Sequence, residues 1–266
     1  MRKLALSDEI LLKVDKAARY IGGEVNSVMK DKNEVEIRFA MCFPDVYEIG
    51  MSNLGMMILY NMFNQREDVW CERLFSPWPD LDKVMREQNI PLFALESQEP
   101  IRDFDFLGIT LGYEMCYTNI LQVLDLSGIP LKSADRGEDF PIVIGGGACA
   151  YNPEPLAPFF DLFYIGEGET VYDALFDAYK ANKKVGGSRR DFLLAAAKIP
   201  GIYVPSLYEV TYKEDGTIAS FAPTEAGVPE KVQKQLIIDM EKEYRAVEAP
   251  VVPHIKATQD RVTLEI

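Results

Sequence analysis

A cluster of polar and small residues in one short segment could hold a small molecule: Asp45, Tyr47, Gly50, Ser52 and Asn53. Its carboxylate, phenol and hydroxyl groups offer hydrogen bonds, and glycine lets a backbone approach a ligand closely. The segment lies between a strand-like run at 35–42 and a helix-like run at 56–63. Open α/β sheets bind ligands at such turns, because strand C-termini and helix N-termini converge there. We therefore predict a ligand-binding loop over 43–55.

Three further strand-like runs, at 104–111, 141–144 and 161–165, also end in small or polar residues. These residues are Thr110, Gly145, Gly146, Gly147, Gly166 and Glu167. The carboxyl ends of parallel strands lie along one edge of a sheet, and a ligand binds in the crevice where the strand order reverses. The loop over 43–55 and these three strand ends are therefore expected to share one edge.

Each of these features also has a purely structural explanation. Asp45 and Tyr47 could be a turn cap and a half-buried aromatic residue. The glycine run could be a tight turn, and Glu167 could be an acid favoured by the dipole of the next helix. The glycine run does not fit G-x-G-x-x-G, because Ala148-Cys149-Ala150 follows it, so a dinucleotide site has little support.

Strand-like and helix-like patterns alternate through the chain as far as residue 199. Helices are predicted over 7–21, with Ser7 as the N-cap, and over 55–64, 80–87, 117–127, 156–160 and 170–181. Strands are predicted over 24–30, 35–43, 69–75, 91–95, 104–111, 141–144 and 161–165. This alternation predicts an α/β fold of the Rossmann-like or flavodoxin-like kind, a parallel sheet with helices on both faces.

The pattern changes after residue 199. Strands over 202–205 and 207–213, a turn at 214–216 and a returning strand predict a hairpin. A loop over 222–229 and a Pro-rich linker over 249–254 follow, and 261–266 reads as half of a strand. We expect three parts: an N-terminal helix–strand extension (1–34), the α/β domain (35–205), and a hairpin, a linker and the start of a truncated further domain (206–266).

Composition limits the classes of function. The net charge of −14 argues against direct nucleic-acid binding, which needs Lys and Arg to neutralise phosphates. No run of about 20 apolar residues indicates a membrane helix, and no apolar run near the N-terminus indicates a signal peptide. The chain is therefore predicted to be cytoplasmic.

The metal-ligating residues are few and scattered. Cys42, Cys71, Cys116 and Cys149 are far apart in the sequence, without the spacing of a zinc or iron–sulfur site, and their apolar neighbours predict reduced core thiols. The single histidine, His254, lies in the predicted linker. No metal site is predicted.

Taken in order, the motifs resemble the amino-terminal domain of cobalamin-binding radical SAM proteins. Asp45-x-Tyr47-x-x-Gly50 has the spacing of the Asp-x-His-x-x-Gly signature of cobalamin-binding domains, with Tyr in place of the cobalt-ligating His. The strand ends at 110–111 and 143–147 and the run 161–169 strengthen the likeness. The segments 18–24, 43–55 and 262–266 resemble, more narrowly, an uncharacterised bacterial family in which this domain precedes a radical SAM barrel.

The resemblance implies roles for individual residues. Asp45, Tyr47 and Gly50 would lie on the loop that faces the lower side of cobalt. Thr110 would supply a hydroxyl to the cleft for the nucleotide tail, and Gly145 and Gly146 would form the adjacent turn. Because a neutral phenol is a poor cobalt ligand, bound cobalamin is expected to be base-off with no protein His on cobalt.

The resemblance also implies which catalytic parts this chain lacks. The CxxxCxxC motif of a [4Fe–4S] cluster is absent, so cleavage of S-adenosylmethionine would belong to the barrel domain of a longer protein and this chain alone would not be an enzyme. Three functions remain open: a cobalamin-binding module of a radical SAM enzyme, a non-binding module that docks on the barrel and shapes substrate access, and a flavodoxin-like nucleotide or flavin binder.

Overall fold

The central sheet sets the architecture of the protein. The computed structural model describes residues 3–239, 247 and 249–252. The strands of this sheet are β1 (Ile37–Phe43), β2 (Val69–Phe75), β3 (Phe106–Thr110), β4 (Ile142–Gly146), β5 (Leu162–Tyr164) and β6 (Ile202–Tyr203). Their order is β2-β1-β3-β4-β5-β6, with β6 antiparallel and the other strands parallel.

This order confirms the predicted Rossmann-like sheet and specifies its type. The run 2-1-3-4-5 is the flavodoxin-like order, in which the direction of strand addition reverses between β1 and β3. The strands β1 and β2 are buried along their whole length, as expected for a parallel sheet that is covered on both faces.

Helices cover both faces of the sheet. They are α1 (Asp8–Leu11), α2 (Ala18–Ile21), α3 (Tyr47–Gly50), α4 (Leu54–Gln65), α5 (Pro79–Gln88), α6 (Tyr117–Leu126), α7 (Tyr172–Lys184) and α8 (Arg189–Ala196). Apolar residues of α4, α7 and α8 pack on one face, and those of α5 and α6 pack on the other. The first core centres on Phe39, whose ring centroid lies 5.0 Å from that of Phe63 and 5.9 Å from that of Phe176.

The N-terminal extension differs from its prediction. The helix over 7–21 is wrong in extent: α1 ends at Leu11, α2 begins at Ala18, and Lys16 between them has φ = 52°. Ser7 makes no capping hydrogen bond with its side chain. The predicted strand over 24–30 is also wrong. The Lys30 ammonium group donates to the Val69 carbonyl at 2.6 Å, so a side chain meets the edge of the sheet there instead of a backbone ladder.

Three other elements also differ. The predicted strand over 91–95 is only an isolated bridge between Phe93 and Pro100. The short helix predicted over 156–160 is a 3₁₀ turn at Glu154–Phe159 that contains Pro158, a residue that cannot donate a backbone hydrogen bond. The helix α8 was not predicted, although Ser188 and Asp191 form a capping box at its start.

The hairpin after the sheet is confirmed, with β7 (Tyr208–Tyr212) paired to β8 (Ile218–Pro223). The half strand over 261–266 and His254 lie outside the described residues. Within the described ranges, no helix is long and apolar enough to cross a membrane.

Candidate functional site

A cavity of about 340 Å³ opens at the carboxyl end of the sheet. Its walls come from the ends of β1, β3, β4 and β5 and from the first turns of α4. This position is the one that open α/β sheets offer to ligands, beside the reversal of strand order between β1 and β3.

Glycines keep this cavity open. A Cβ atom added at Gly146 would lie 3.9 Å from the Tyr172 hydroxyl, and one added at Gly112 would meet no heavy atom within 4 Å. Both positions could carry a side chain without a clash. Glycine therefore leaves empty space at each of them. The cavity can therefore accept a flat group against bare backbone.

The N-terminus of α4 forms another part of the wall. The Asn53 side chain accepts a hydrogen bond from the Met56 backbone N–H at 2.9 Å, which caps the helix. Asn53, Gly55 and Leu59 line the cavity. The polar turn after β1 therefore does lead into a helix whose first turn faces the site.

The lining is nearly uncharged. Glu169 is its only charged residue, and no Lys, Arg or His from the described part of the chain lines it. Tyr164, which also lines it, donates to the Glu167 carbonyl, and burial raises the pKa of its phenol. The site therefore offers hydrogen-bonding and apolar surface without a fixed positive charge.

Asp45 connects two loops at this edge. One carboxylate oxygen accepts from the Val46 backbone N–H at 2.7 Å, and the other accepts from the Tyr113 hydroxyl. The bond to Asp45 raises the pKa of Tyr113 to about 12, so the phenol stays protonated as the donor. The Asp45 carbonyl accepts from the Ser76 N–H at 3.0 Å. Asp45 thus fixes the loop after β1 against the loop after β3.

Tyr47 points into the protein. Its hydroxyl donates to Glu24 at 2.9 Å, and its ring meets that of Phe75 edge-on at 5.3 Å. Gly50 is a packing position, since an added Cβ would lie 2.2 Å from the Phe75 ring. Ser52 is exposed and donates to the Ile49 carbonyl at 2.7 Å. None of Tyr47, Gly50 and Ser52 lines the cavity.

The structure thus divides the predicted site residues into two groups. Those that line the cavity are Asn53, Thr110, Gly146, Gly147 and Gly166. Those that do not line it are Asp45, Tyr47, Gly50, Ser52, Gly145 and Glu167. Gly145 is a packing position, because an added Cβ would lie 2.7 Å from the Phe163 ring.

A segment late in the chain borders the cavity at Gly166. The Gln235 N–H donates to the Ile165 carbonyl at 3.0 Å, and the Glu167 N–H donates to the Gln235 carbonyl at 3.1 Å. Gly166 has φ = 134°, and an added Cβ would lie 2.3 Å from the Gln235 carbonyl oxygen. Glycine at 166 is therefore needed for this pairing.

Several lining residues had not been predicted, among them Met41, Gly112, Tyr164 and Tyr172. Gly112 comes two residues after Thr110 and could have been found by extending each strand end into its loop. Tyr172 could not have been found in this way. It is the first residue of α7 and lies beyond the 3₁₀ turn Gly168–Thr170, well after the end of β5.

Comparison with known proteins gives a family. Residues 55–205 match the family described as "Radical SAM proteins, N-terminal". An uncharacterized protein of Methanocaldococcus jannaschii is 28% identical over 131 residues, which cover 49% of this chain and 24% of that protein. The match thus spans about a quarter of the curated relative.

Two solved structures are more distant neighbours. The cobalamin-dependent S-adenosylmethionine radical enzyme OxsB, with aqua-cobalamin and S-adenosylmethionine bound, has a TM-score of 0.40 at 15% identity, over 68% of this chain and 21% of that one. The radical S-adenosylmethionine methyltransferase TsrM from Kitasatospora setae has a TM-score of 0.36 at 15% identity, over 67% of this chain and 29% of that one. Because these scores are low, the fold is assigned from the strand order and not from these two structures.

Proposed function

The chain belongs to the family of N-terminal domains of radical SAM proteins, and we propose that it is a module that binds cobalamin for such an enzyme. The observation that carries this proposal is the cavity at the carboxyl edge of the sheet, which glycines keep free of side chains. The motif at 45–50, which has the spacing of the signature of cobalamin-binding domains, favours cobalamin as the ligand.

The residues at the cavity fit the heteroaromatic tail of a base-off cobalamin. Such a tail needs bare backbone on which to lie and a few polar groups at its edges. Gly112 and Gly146 offer the first, and Asn53, Thr110 and Gly166 also line the cavity. The remaining predicted residues, Asp45, Tyr47, Gly50, Ser52, Gly145 and Glu167, do not line the cavity.

No protein imidazole is expected on cobalt. The position where the signature has His is Tyr47, whose hydroxyl is bonded to Glu24. Burial raises the pKa of this phenol, and the charge of Glu24 raises it further, so the phenolate that could bind a metal does not form near neutral pH. When bound, the cofactor would supply a cobalt centre able to carry a methyl group.

The partner of this module is a radical SAM domain, which would hold the [4Fe–4S] cluster and S-adenosylmethionine. Three exposed apolar side chains lie within three residues, along the sequence, of residues that line the cavity: Leu54 is 65% exposed, Met115 is 87% exposed and Tyr151 is 52% exposed. We propose these three residues as the surface on which such a domain would dock. In the full-length protein, Met115→Lys would increase protease cleavage between the two domains, and unchanged cleavage would count against docking there.

A flavodoxin-like nucleotide binder is the second candidate, since the N-terminus of α4 faces the cavity. The lining contains no cation among the described residues, and Asn53 already occupies one of the helix N–H groups. These two features favour a neutral heterocycle over a mononucleotide phosphate.

The test is an absorbance titration of the purified protein with hydroxocobalamin and methylcobalamin, and in parallel with FMN. We expect a saturable shift of cobalamin to the base-off spectrum and no effect of FMN. Binding of FMN alone would support the second candidate, and no shift with either ligand would support a docking module without a cofactor.

Two matched glycine variants show whether binding occurs in the cavity. Gly146→Val places a side chain in the cavity and should remove the spectral shift. Gly137→Val lies on an exposed turn where an added Cβ meets nothing within 4 Å, and it should bind like the wild type. Equal binding by both variants would place the cofactor elsewhere.

A further inference from the structure

A buried ionic network lies behind the loop that follows β1. Arg73 on β2 is fully buried, and its Nε donates to Glu96 at 2.6 Å. Its two Nη atoms donate to the two carboxylate oxygens of Glu24 at 3.0 and 2.7 Å. Glu24 belongs to the N-terminal extension, so Arg73 anchors that extension to the sheet.

Glu24 in turn binds the loop. Its Oε1 accepts the hydrogen bond from the Tyr47 hydroxyl at 2.9 Å. Burial alone would raise the pKa of Glu24, but the bonds from Arg73 outweigh it and the pKa is lowered. Glu24 is therefore a carboxylate acceptor, and Tyr47 is held as a protonated donor.

A second contact from the same extension binds the next residue of the loop. Arg19 Nε donates to both oxygens of Glu48, at 3.1 and 2.9 Å. On its other side the loop is bound by Tyr113 through Asp45, and by Asn119, whose amide donates to the Pro44 carbonyl at 2.9 Å. The loop is thus fixed on both sides.

We propose that Glu24 is a positioning residue that, held by Arg73, keeps residue 47 turned into the protein and so prevents this loop from supplying an axial ligand to a cofactor in the cavity. This inference rests on the proposed cobalamin function and deepens it. It assigns the absence of a ligand from this loop to a contact with the extension, in addition to the replacement of His by Tyr. Restoring histidine at position 47 would therefore not restore ligation while Glu24 is present.

The first test uses the protein without cofactor. Amide hydrogen exchange over 45–53 should become about tenfold faster or more in Glu24→Ala, because the loop loses one of its two contacts with the N-terminal extension. Exchange in β3 and β4 should be unchanged, which separates this effect from a general loss of stability. Glu99→Ala is the matched control, since Glu99 also pairs with an arginine, Arg38 at 2.6 Å, but near the start of β1. Unchanged exchange over 45–53 in Glu24→Ala would overturn the proposal.

The second test uses spectroscopy of bound cob(II)alamin. The electron paramagnetic resonance spectrum of Tyr47→His should show no splitting from an axial imidazole nitrogen. The double variant Glu24→Ala/Tyr47→His should show it, because residue 47 is then released. Nitrogen splitting in Tyr47→His alone would overturn the proposal, and so would its absence from the double variant. If the wild type binds no cobalamin, the proposed function fails, and the exchange experiment still decides whether Glu24 positions the loop.

Discussion

The two ends of the parallel sheet carry different kinds of residues. At the carboxyl end, loops rich in glycine surround an almost uncharged cavity. At the amino end, aspartates stand directly before β2, β3 and β5, and each is bound by cationic side chains: Asp68, Asp105 and Asp161.

Two of these aspartates also accept hydrogen bonds from backbone N–H groups of a neighbouring strand. Asp105 accepts from the Arg38 N–H at 2.8 Å, and Asp161 accepts from the Val143 N–H at 2.7 Å. In each case the carboxylate binds the strand next to its own. These bonds connect β3 to β1 and β5 to β4 where the ladders begin, so the amino end fixes the strands relative to one another.

The difference shows how the molecule separates stability from binding. Charges that are already paired within the protein cannot serve a ligand, and open backbone cannot hold strands together. Substitutions at the amino end should therefore change the free energy of unfolding, whereas substitutions at cavity-lining positions with open space beside them, such as Gly146 and Thr110, should change affinity.

The largest effect is expected at Asp161. Its carboxylate is bound by Arg136 at 2.9 Å and by Arg189 at 2.8 Å, and the side chains of Asp161 and Arg136 are almost fully buried. Asp161→Ala leaves two arginines without their partner and should lower the free energy of unfolding by about 3–5 kcal/mol, as measured by urea denaturation. The exposed Asp139→Ala should change it by less than about 0.5 kcal/mol. A loss below about 1 kcal/mol in Asp161→Ala would contradict the role of the amino end.

A smaller and pH-dependent effect is expected at Asp68. Hydrogen bonds from Arg66, reinforced by Lys180, lower its pKa from 3.8 to about 2. A lowered pKa stabilises the fold above the unfolded value, and this stabilisation is lost as the pH falls from about 4 towards 2. At 1.36 kcal/mol per unit, the contribution at neutral pH is about 2 kcal/mol.

Asp68→Asn should therefore lose about 2 kcal/mol in urea denaturation at pH 7 and progressively less below pH 4. Asp177→Asn is the control, because that carboxylate is 64% exposed and its contacts with Arg66 and Lys180 are longer, at 3.4 and 3.3 Å. A loss in Asp68→Asn that stays constant from pH 7 to pH 3 would show that the ion pair is not its source.

The carboxyl end could be predicted from the sequence because its signals are local. Strand periodicity placed Thr110 and Gly146 at strand ends, and parallel connectivity then brought them to one edge. The amino end was missed. An aspartate before a strand looks like an ordinary turn residue until the fold brings its arginine close, as Arg136 is brought to Asp161 across 25 residues.

The direction of Tyr47 was equally out of reach. It depends on Glu24 and Arg73, which are 49 residues apart and meet only when the extension folds over β2. A tertiary contact also accompanies the interruption of the helix predicted over 7–21. Between α1 and α2 the Asp15 N–H donates to the Asp80 carboxylate at 2.6 Å instead of to a helical carbonyl, so a long-range contact takes precedence over helix propensity there.

Gly166 tests whether a glycine that lines the cavity can also be required for stability. At φ = 134° and against the Gln235 backbone, alanine is strained, so Gly166→Ala should cost about 1–3 kcal/mol. Amide exchange over 233–238 should rise in parallel. A neutral result in urea denaturation, with unchanged exchange, would mean that the late segment does not depend on this glycine.

The smallest change in stability, with an effect confined to the ligand, is expected at Thr110. Thr110 lines the cavity, and its hydroxyl makes no hydrogen bond to the part of the chain that the structure describes. Thr110→Val keeps the shape of the side chain, so its free energy of unfolding should stay within about 0.5 kcal/mol of the wild type. If the hydroxyl donates to or accepts from the ligand, the Kd for cobalamin should rise by up to about tenfold, which corresponds to one neutral hydrogen bond.

The control is Thr211→Val on the hairpin. The Thr211 hydroxyl is bonded to that of Ser220 at 2.6 Å, and its removal should leave the Kd unchanged. A variant at 110 that unfolds more easily but binds as before would reverse the assignment, because it would place a structural role at the end of the sheet that we assign to binding.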